Sequence, residues 1–146
     1  MAFQTSYRVR FADVDLAQVV YYPRIFDICH KAMESFFGEG LGLPYRDVLA
    51  IDRIGFPTVR AETDFVGPLR YDDLIAIAVQ VTKLGEKSLA FLFELRRDQD
   101  LLVSARITTV AVDLDRFEAI EIPPKYRQRL MLFVEKKGGS PPTACG

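Results

Sequence analysis

Ile25, Ile28, Cys29, Ala32, Met33, Phe36 and Phe37 recur at spacings of three and four, and no other long stretch of the chain keeps that period. The spacing places them on one stripe of a helix, with Arg24, Asp27, Lys31 and Glu34 off it. A single helix with so strong an apolar stripe cannot bury it alone; it needs a sheet. The rest of the chain supplies one. Residues 4–11 alternate loosely, with Tyr7, Val9 and Phe11 on one side and Ser6, Arg8 and Arg10 on the other. After Gly55 the period becomes two, and strands are predicted over 57–66, 74–84, 88–97 and 101–113, with a short piece over 117–120. Turn residues separate them: Gly67-Pro68, Gly85-Glu86-Lys87 and Asp98-Gln99-Asp100.

Pro23 suits the first turn of the helix, and Gly38, Gly40 and Gly42 suit its end. Short helices are predicted over 45–50 and 125–136. The Ile, Ala and Val run in 74–84 predicts burial on both faces. The short turns make three or four of the long strands an antiparallel meander. The fold class that follows is α+β: an antiparallel sheet of five to six strands wrapped around one long central helix. It forms a single domain over 1–137, with 138–146, which begins Gly138-Gly139-Ser140-Pro141-Pro142, as a flexible tail. Apolar residues left on the far face of the sheet, Leu92, Val110 and Val112, predict an oligomer.

Charge and cysteine content narrow the function. A net charge of −1 offers no electrostatic footprint for nucleic acid. No apolar run is long enough to span a bilayer, and the first residues carry no secretory pattern. The two cysteines, Cys29 in the helix pattern and Cys145 near the end, do not suggest a disulfide, and a reducing cytoplasm fits best. One histidine and two separated cysteines give no metal-ligand cluster.

The stretch from Phe11 to Pro23 carries the chemistry. It joins the first strand to the long helix and holds Asp13, Asp15 and a Tyr22-Pro23 pair at the helix entrance. Helix N-termini offer unpaired N–H groups and partial positive charge. A carboxylate beside such donors suits attack on a polarised carbonyl. The same residues also suit a well-capped helix, because Asp is common at caps and in loops.

Taken together, these elements resemble the hot-dog fold. Residues 10–15 with Val20-Tyr21-Tyr22-Pro23 resemble the signature of its 4-hydroxybenzoyl-CoA thioesterase branch. Tyr71-Asp72-Asp73-Leu74, Lys87-Ser88 and Ile120-Glu121-Ile122-Pro123 extend the likeness over about residues 4–126. The resemblance implies an acyl-CoA thioesterase with Asp15 as catalytic carboxylate and the Tyr22 backbone N–H as donor to the thioester oxygen. It implies substrate contacts at Tyr22 and Pro23, and coenzyme contacts at Lys87 and Ser88. It further implies a homotetramer built as a dimer of dimers with sites at subunit interfaces, and no metal or organic cofactor, coenzyme A being part of the substrate.

Some positions depart from the branch. Gln18 stands where many relatives have Gly. His30 stands where relatives often carry an acidic residue on the helix. The Gly85-Glu86-Lys87 turn is less basic than one built for phosphates. Asp13 is read as orienting the loop, His30 as a partly buried helical residue, and Glu34 as lying on the polar side of the helix. The Tyr22-Pro23 pattern points to a small, aromatic, hydroxybenzoyl-like acyl group. The competing reading is a non-catalytic hot-dog module that binds acyl-CoA or an acyl carrier protein.

Overall fold

The apolar stripe forms the helix it predicts. In the computed structural model, which describes residues 1–135, α1 spans Arg24–Ser35 and buries Ile25, Ile28, Cys29, Ala32 and Met33. The tail predicted over 138–146 lies outside the described residues. The α1 helix ends through a wide turn over Phe36–Gly40, which buries Phe36 and Phe37. Gly40 packs closely there: a Cβ would lie 3.0 Å from the Phe36 ring and 3.2 Å from that of Phe3, and the rings would have to give way.

Before α1 lies β1 (Phe3–Arg8); after it come α2 (Tyr45–Ala50), β2 (Ile54–Gly55), β3 (Thr58–Phe65), β4 (Leu74–Leu84), β5 (Ser88–Arg97) and β6 (Asp100–Val110). The chain continues through β7 (Val112–Asp113) and β8 (Glu118–Ala119) to α3 (Pro124–Leu130). The main sheet is antiparallel and five-stranded, in the order β1-β4-β5-β6-β3. Its inner face, Ile75, Ile77, Val79 and Val81 with Leu89, Phe91, Phe93 and Leu95, packs into one core with α1.

The expected meander of three or four strands has three, β4, β5 and β6. Three expectations need correction. Firstly, the Gly67-Pro68 turn does not pair the strands it separates: β3 pairs with β6 at the far edge. The connection from Val66 to Asp73 is long enough to pack by itself: Leu69 is buried, and its carbonyl accepts the Val20 N–H. Secondly, β4 is buried on alternate residues only, whereas central β5 is buried on both faces, including Ala90 and Leu92. Thirdly, Leu92 and Val112 are covered within the chain, and Val110 is half-buried.

One group of exposed apolar residues lies elsewhere. Phe11, Leu16, Tyr21, Tyr22, Phe65, Val66, Tyr71 and Leu74 are each at least half exposed. They belong to the segment before α1, to the end of β3 and to the start of β4. The predicted 101–113 strand breaks at Ala111, whose N–H turns to the Lys87 carbonyl. Beyond it, β7 joins β2 and β8 in a small second sheet.

Candidate active site

The segment between β1 and α1 folds into a tight hairpin. The Asp15 N–H donates to the Val19 carbonyl at 3.1 Å, the Gln18 N–H donates to the Asp15 carbonyl at 2.9 Å, and Val14 bridges Val20. This is the pattern of a three-residue hairpin loop, whose last residue is left-handed and is usually Gly. Gln18 occupies that position with φ 66°. The backbone therefore keeps the conformation glycine would adopt, with an L side chain in it.

The two loop carboxylates are held differently. Asp13 is buried and accepts from the Tyr7 hydroxyl at 2.6 Å and the Arg10 N–H at 2.8 Å. Its carbonyl takes the Tyr21 N–H. Burial, and then this bond to Asp13, push Tyr7 up to about 12. Asp13 thus ties the hairpin's entry to β1 and its exit to the start of α1. Asp15 is exposed, and its one side-chain bond, from the Ala17 N–H at 2.8 Å, leaves the second oxygen free.

Tyr22 precedes Pro23, which lacks an N–H, at the α1 entrance. The N–H groups of Arg24, Ile25 and Phe26 all find carbonyls, while that of Tyr22 finds no acceptor among the described residues. It is the donor available at the positive end of the helix dipole.

The opposite side of the hairpin rests on the β3–β4 connection. Val20 donates to the Leu69 carbonyl at 2.8 Å, and Val19 bridges Arg70. That connection is fixed by Asp73, whose Oδ2 accepts from the Arg70 N–H at 2.9 Å and from Arg97 Nη1 at 2.7 Å. Burial would raise the Asp73 carboxyl, but these two donors outweigh it and hold it below the usual carboxylate range. Sequence reasoning missed this support. Arg97 sits 24 positions from Asp73, and no local period links them.

The sites are distributed as follows. Asp15 lines an open cleft of about 860 Å³ with Val14, Leu16, Gln18, Arg70 and the Phe11–Tyr71 ring pair. Tyr22 lines a separate cleft of about 280 Å³ with Ile25, Phe65 and Val66. Pro23 is half-buried at the helix start. His30 is exposed, not partly buried, at the rim of an apolar cavity of about 290 Å³ between α1 and the β3–β6 edge. Cys29 adjoins it, and burial pushes its thiol up to about 12. Glu34 is exposed, as its place on the helix predicts.

Lys87 and Ser88 lie at the other end of the sheet. The 11-residue β4 separates the hairpin end from the β4–β5 turn, a span of about 33 Å. There Arg127 of α3 donates to the carbonyls of Gly85 and Glu86, and Ile122 also donates to Glu86. Lys83 packs against Gly85. The turn is thus more basic in space than along the chain.

The family model described as Thioesterase-like superfamily matches residues 9–130. A 1,4-dihydroxy-2-naphthoyl-CoA hydrolase of Nostoc punctiforme is 28% identical over 130 residues, which is 89% of this chain and 87% of that protein. A solved gentisyl-coenzyme A thioesterase superposes with TM-score 0.78 at 28% identity, covering 86% of this chain and 99% of its own. A 1,4-dihydroxy-2-naphthoyl-CoA thioesterase from Synechocystis shares the fold, with TM-score 0.81 at 22% identity over 90% of this chain and 96% of its own.

Proposed function

The chain belongs to the thioesterase-like superfamily of hot-dog thioester hydrolases, and on that premise we propose that it hydrolyses a small aromatic acyl-CoA to the free acid and coenzyme A. The observation that carries this reading is one hairpin holding both an exposed carboxylate, Asp15, and an unpaired N–H, that of Tyr22, at a helix entrance. On attack the thioester oxygen gains negative charge. The Tyr22 N–H, reinforced by the α1 dipole, is a preorganised donor for it. Asp15 either adds to the carbonyl carbon, forming an anhydride that water opens, or removes a proton from the attacking water. The thiolate of coenzyme A leaves in both routes. No cofactor is invoked.

Aromatic walls near the hairpin support an aromatic acyl group: Phe11 and Tyr71 beside Asp15, and Tyr22 and Phe65 at the helix entrance. The acyl groups in the relatives' names, dihydroxynaphthoyl and gentisyl (2,5-dihydroxybenzoyl), are aromatic and carry a hydroxyl beside the acyl carbon.

Lys87 and Ser88 are the proposed coenzyme contacts, joined by Arg127. Their distance from the hairpin favours a site completed by a second copy of the chain. The β3 edge supports pairing of copies: it is exposed along nearly its whole length. A two-fold pairing centred on Glu62 sets Arg60 across from Asp64 of the second copy. The dimer of dimers is the assembly we propose. A cytoplasmic setting is favoured by Cys29, a free thiol; no described helix is long and apolar enough to cross a membrane.

The test is free-thiol release from 4-hydroxybenzoyl-, benzoyl-, phenylacetyl-, acetyl-, hexanoyl- and palmitoyl-CoA, with Asp15→Asn as the control. Release with an aromatic member, falling by about 10²- to 10⁴-fold in the variant at an unchanged unfolding temperature, supports the proposal. Release that survives the substitution removes Asp15 from the chemistry. Binding without release in the parent chain favours the non-catalytic module.

A further inference from the structure

The apolar cavity between α1 and the β3–β6 edge has no part in the chemistry described above. Its volume is about 290 Å³, near the lower end for ligand pockets, which run from about 300 Å³ upward. Met33, Phe56, Phe91 and Phe93 supply apolar walls. The exposed residues of the lining, His30, Thr58 and Ala61, put its mouth at the seam between α1 and β3. The cavity therefore opens at the free edge of the sheet.

A second observation marks the same seam. Ala61, Thr63 and Phe65 share one face of β3. Ala61 lines the cavity, and Phe65 lines the cleft of Tyr22. Thr63, between them, carries a buried hydroxyl with no hydrogen-bond partner among the described residues. Such a group calls for a partner outside the chain. Thr109 shows what completes it: its hydroxyl donates at 2.8 Å to the carbonyl of Leu89, the residue across its own strand pair. In the two-fold pairing centred on Glu62, the residue across from Thr63 is Ala61 of the second copy, whose backbone offers the acceptor.

Distances along that pairing decide which site the cavity serves. Within one chain Ala61 is four residues from Phe65, about 13 Å along the strand. Ala61 of the second copy is two residues and one strand spacing from Phe65, about 8 Å. The Tyr22 ring packs on Phe65 with centroids 6.2 Å apart. Within one chain the Tyr22 cleft and the cavity share no lining residue. Phe26, one turn beyond Tyr22, bounds the cavity on the side toward Tyr22. We propose that each active site is completed in trans: an acyl group whose carbonyl meets the Tyr22 N–H of one copy ends in the α1–β3 cavity of the second. The substrate class follows from the span. A single ring does not cross it, and an aryl acyl group with an apolar substituent para to the carbonyl does. The inference rests on the thioesterase reading for its chemistry and on the β3 pairing for its geometry.

The experiment uses two defective chains, Asp15→Asn and Ala61→Phe, the second filling the cavity from an exposed strand position. Each is assayed alone and in mixed oligomers purified through two different tags. The substrates are 4-butylbenzoyl-CoA, benzoyl-CoA and the 4-butylbenzoyl thioester of N-acetylcysteamine, which has no phosphates. Ala61→Phe alone loses about tenfold to a hundredfold in kcat/KM on both butylated thioesters, with a smaller loss on benzoyl-CoA. His30→Trp, which narrows the mouth without touching β3, does the same. In a mixed pair one site of the two joins an intact hairpin to an intact cavity, so about half the parent rate returns. No return puts hairpin and cavity in the same chain and overturns the proposal. Equal losses on butylated and plain substrates overturn it too, as does a loss confined to the coenzyme A thioesters. If no thioester is turned over, binding of the inert thioether 4-butylphenacyl-CoA against phenacyl-CoA separates this inference from the thioesterase reading. A preference for the butylated thioether sustains the cavity in trans if Ala61→Phe abolishes it and Asp64→Arg, which sets like charges across the pairing, abolishes it as well. No preference, or one that survives in an Asp64→Arg monomer, ends it.

Discussion

The two ends of the main sheet are built on opposite plans. At the hairpin end the backbone is tied down by buried or partly buried carboxylates, Asp13 and Asp73, while the surface above is open: exposed rings, a free Asp15 oxygen and an unpaired Tyr22 N–H. At the β4–β5 end the chain is closed over. There Tyr126 and Leu130 of α3 are buried, and Arg127 covers the turn carbonyls. Asp52 accepts from Lys125 and Tyr126, and these bonds hold its carboxyl below the usual range. The difference teaches where chemistry can occur. A reactive end needs a rigid backbone with donors and acceptors left unused beside the reacting atoms.

Removing Asp13 is the hardest blow to this contrast. Asp13→Ala leaves the Tyr7 hydroxyl and the Arg10 N–H without a partner, a cost of about 1–3 kcal/mol. Urea unfolding should show that loss, and kcat should fall with it, because the same residue positions Tyr21 beside Tyr22. A stable, fully active Asp13→Ala would mean that the hairpin holds itself.

Asp73→Asn tests the second anchor, at about 1 kcal/mol for a partly exposed pair. The sign follows from the depressed carboxyl. The stabilisation is fully present above the unfolded value and is lost as pH falls through the folded one. The stability gap between the parent chain and Asp73→Asn should therefore be constant above about pH 5 and shrink below about pH 4. A gap that does not change with pH would assign the effect to packing.

The far end should respond differently. Lys87→Ala should raise KM for a coenzyme A thioester by about two- to fivefold, as for an exposed charge pair. It should leave kcat and the N-acetylcysteamine thioester untouched, and added salt should erase the difference. A fall in kcat instead would break the contrast, since it would put the β4–β5 turn in the chemistry. The smallest effect is expected at Gln18. Gln18→Gly relieves a left-handed side chain and should stabilise by up to ~1 kcal/mol, offset by the added freedom of glycine. A lower melting temperature in that variant would show that the glutamine side chain makes a contact of its own.

Much of this fold was legible before folding. The α1 stripe, α2 at 45–50, and β4 and β5 at 74–84 and 88–97 emerge where their periodicity and flanking turns put them. Their periods are local and are enforced by burial on one face. The position of β3 was not legible, since its edge place depends on pairing with β6 rather than on its own residues. In the candidate site, Asp13, Asp15 and Tyr22 stood out because the hairpin and helix entrance are contiguous in sequence. Arg70, Arg97 and Arg127 did not, because each acts on a segment far from it along the chain.

The sequence by itself determined the elements, the amphipathic helix that demands a sheet, and a loop with a carboxylate at a helix start. Those follow from side-chain periodicity and backbone sterics, which act over a few residues. Tertiary structure alone decided that Asp13 is a buried anchor while Asp15 stays free, and that Gln18 is held left-handed. It also decided that Arg70, held at its N–H by Asp73, lines the cleft of Asp15. Those depend on which distant carbonyls and carboxylates the fold brings within hydrogen-bond reach.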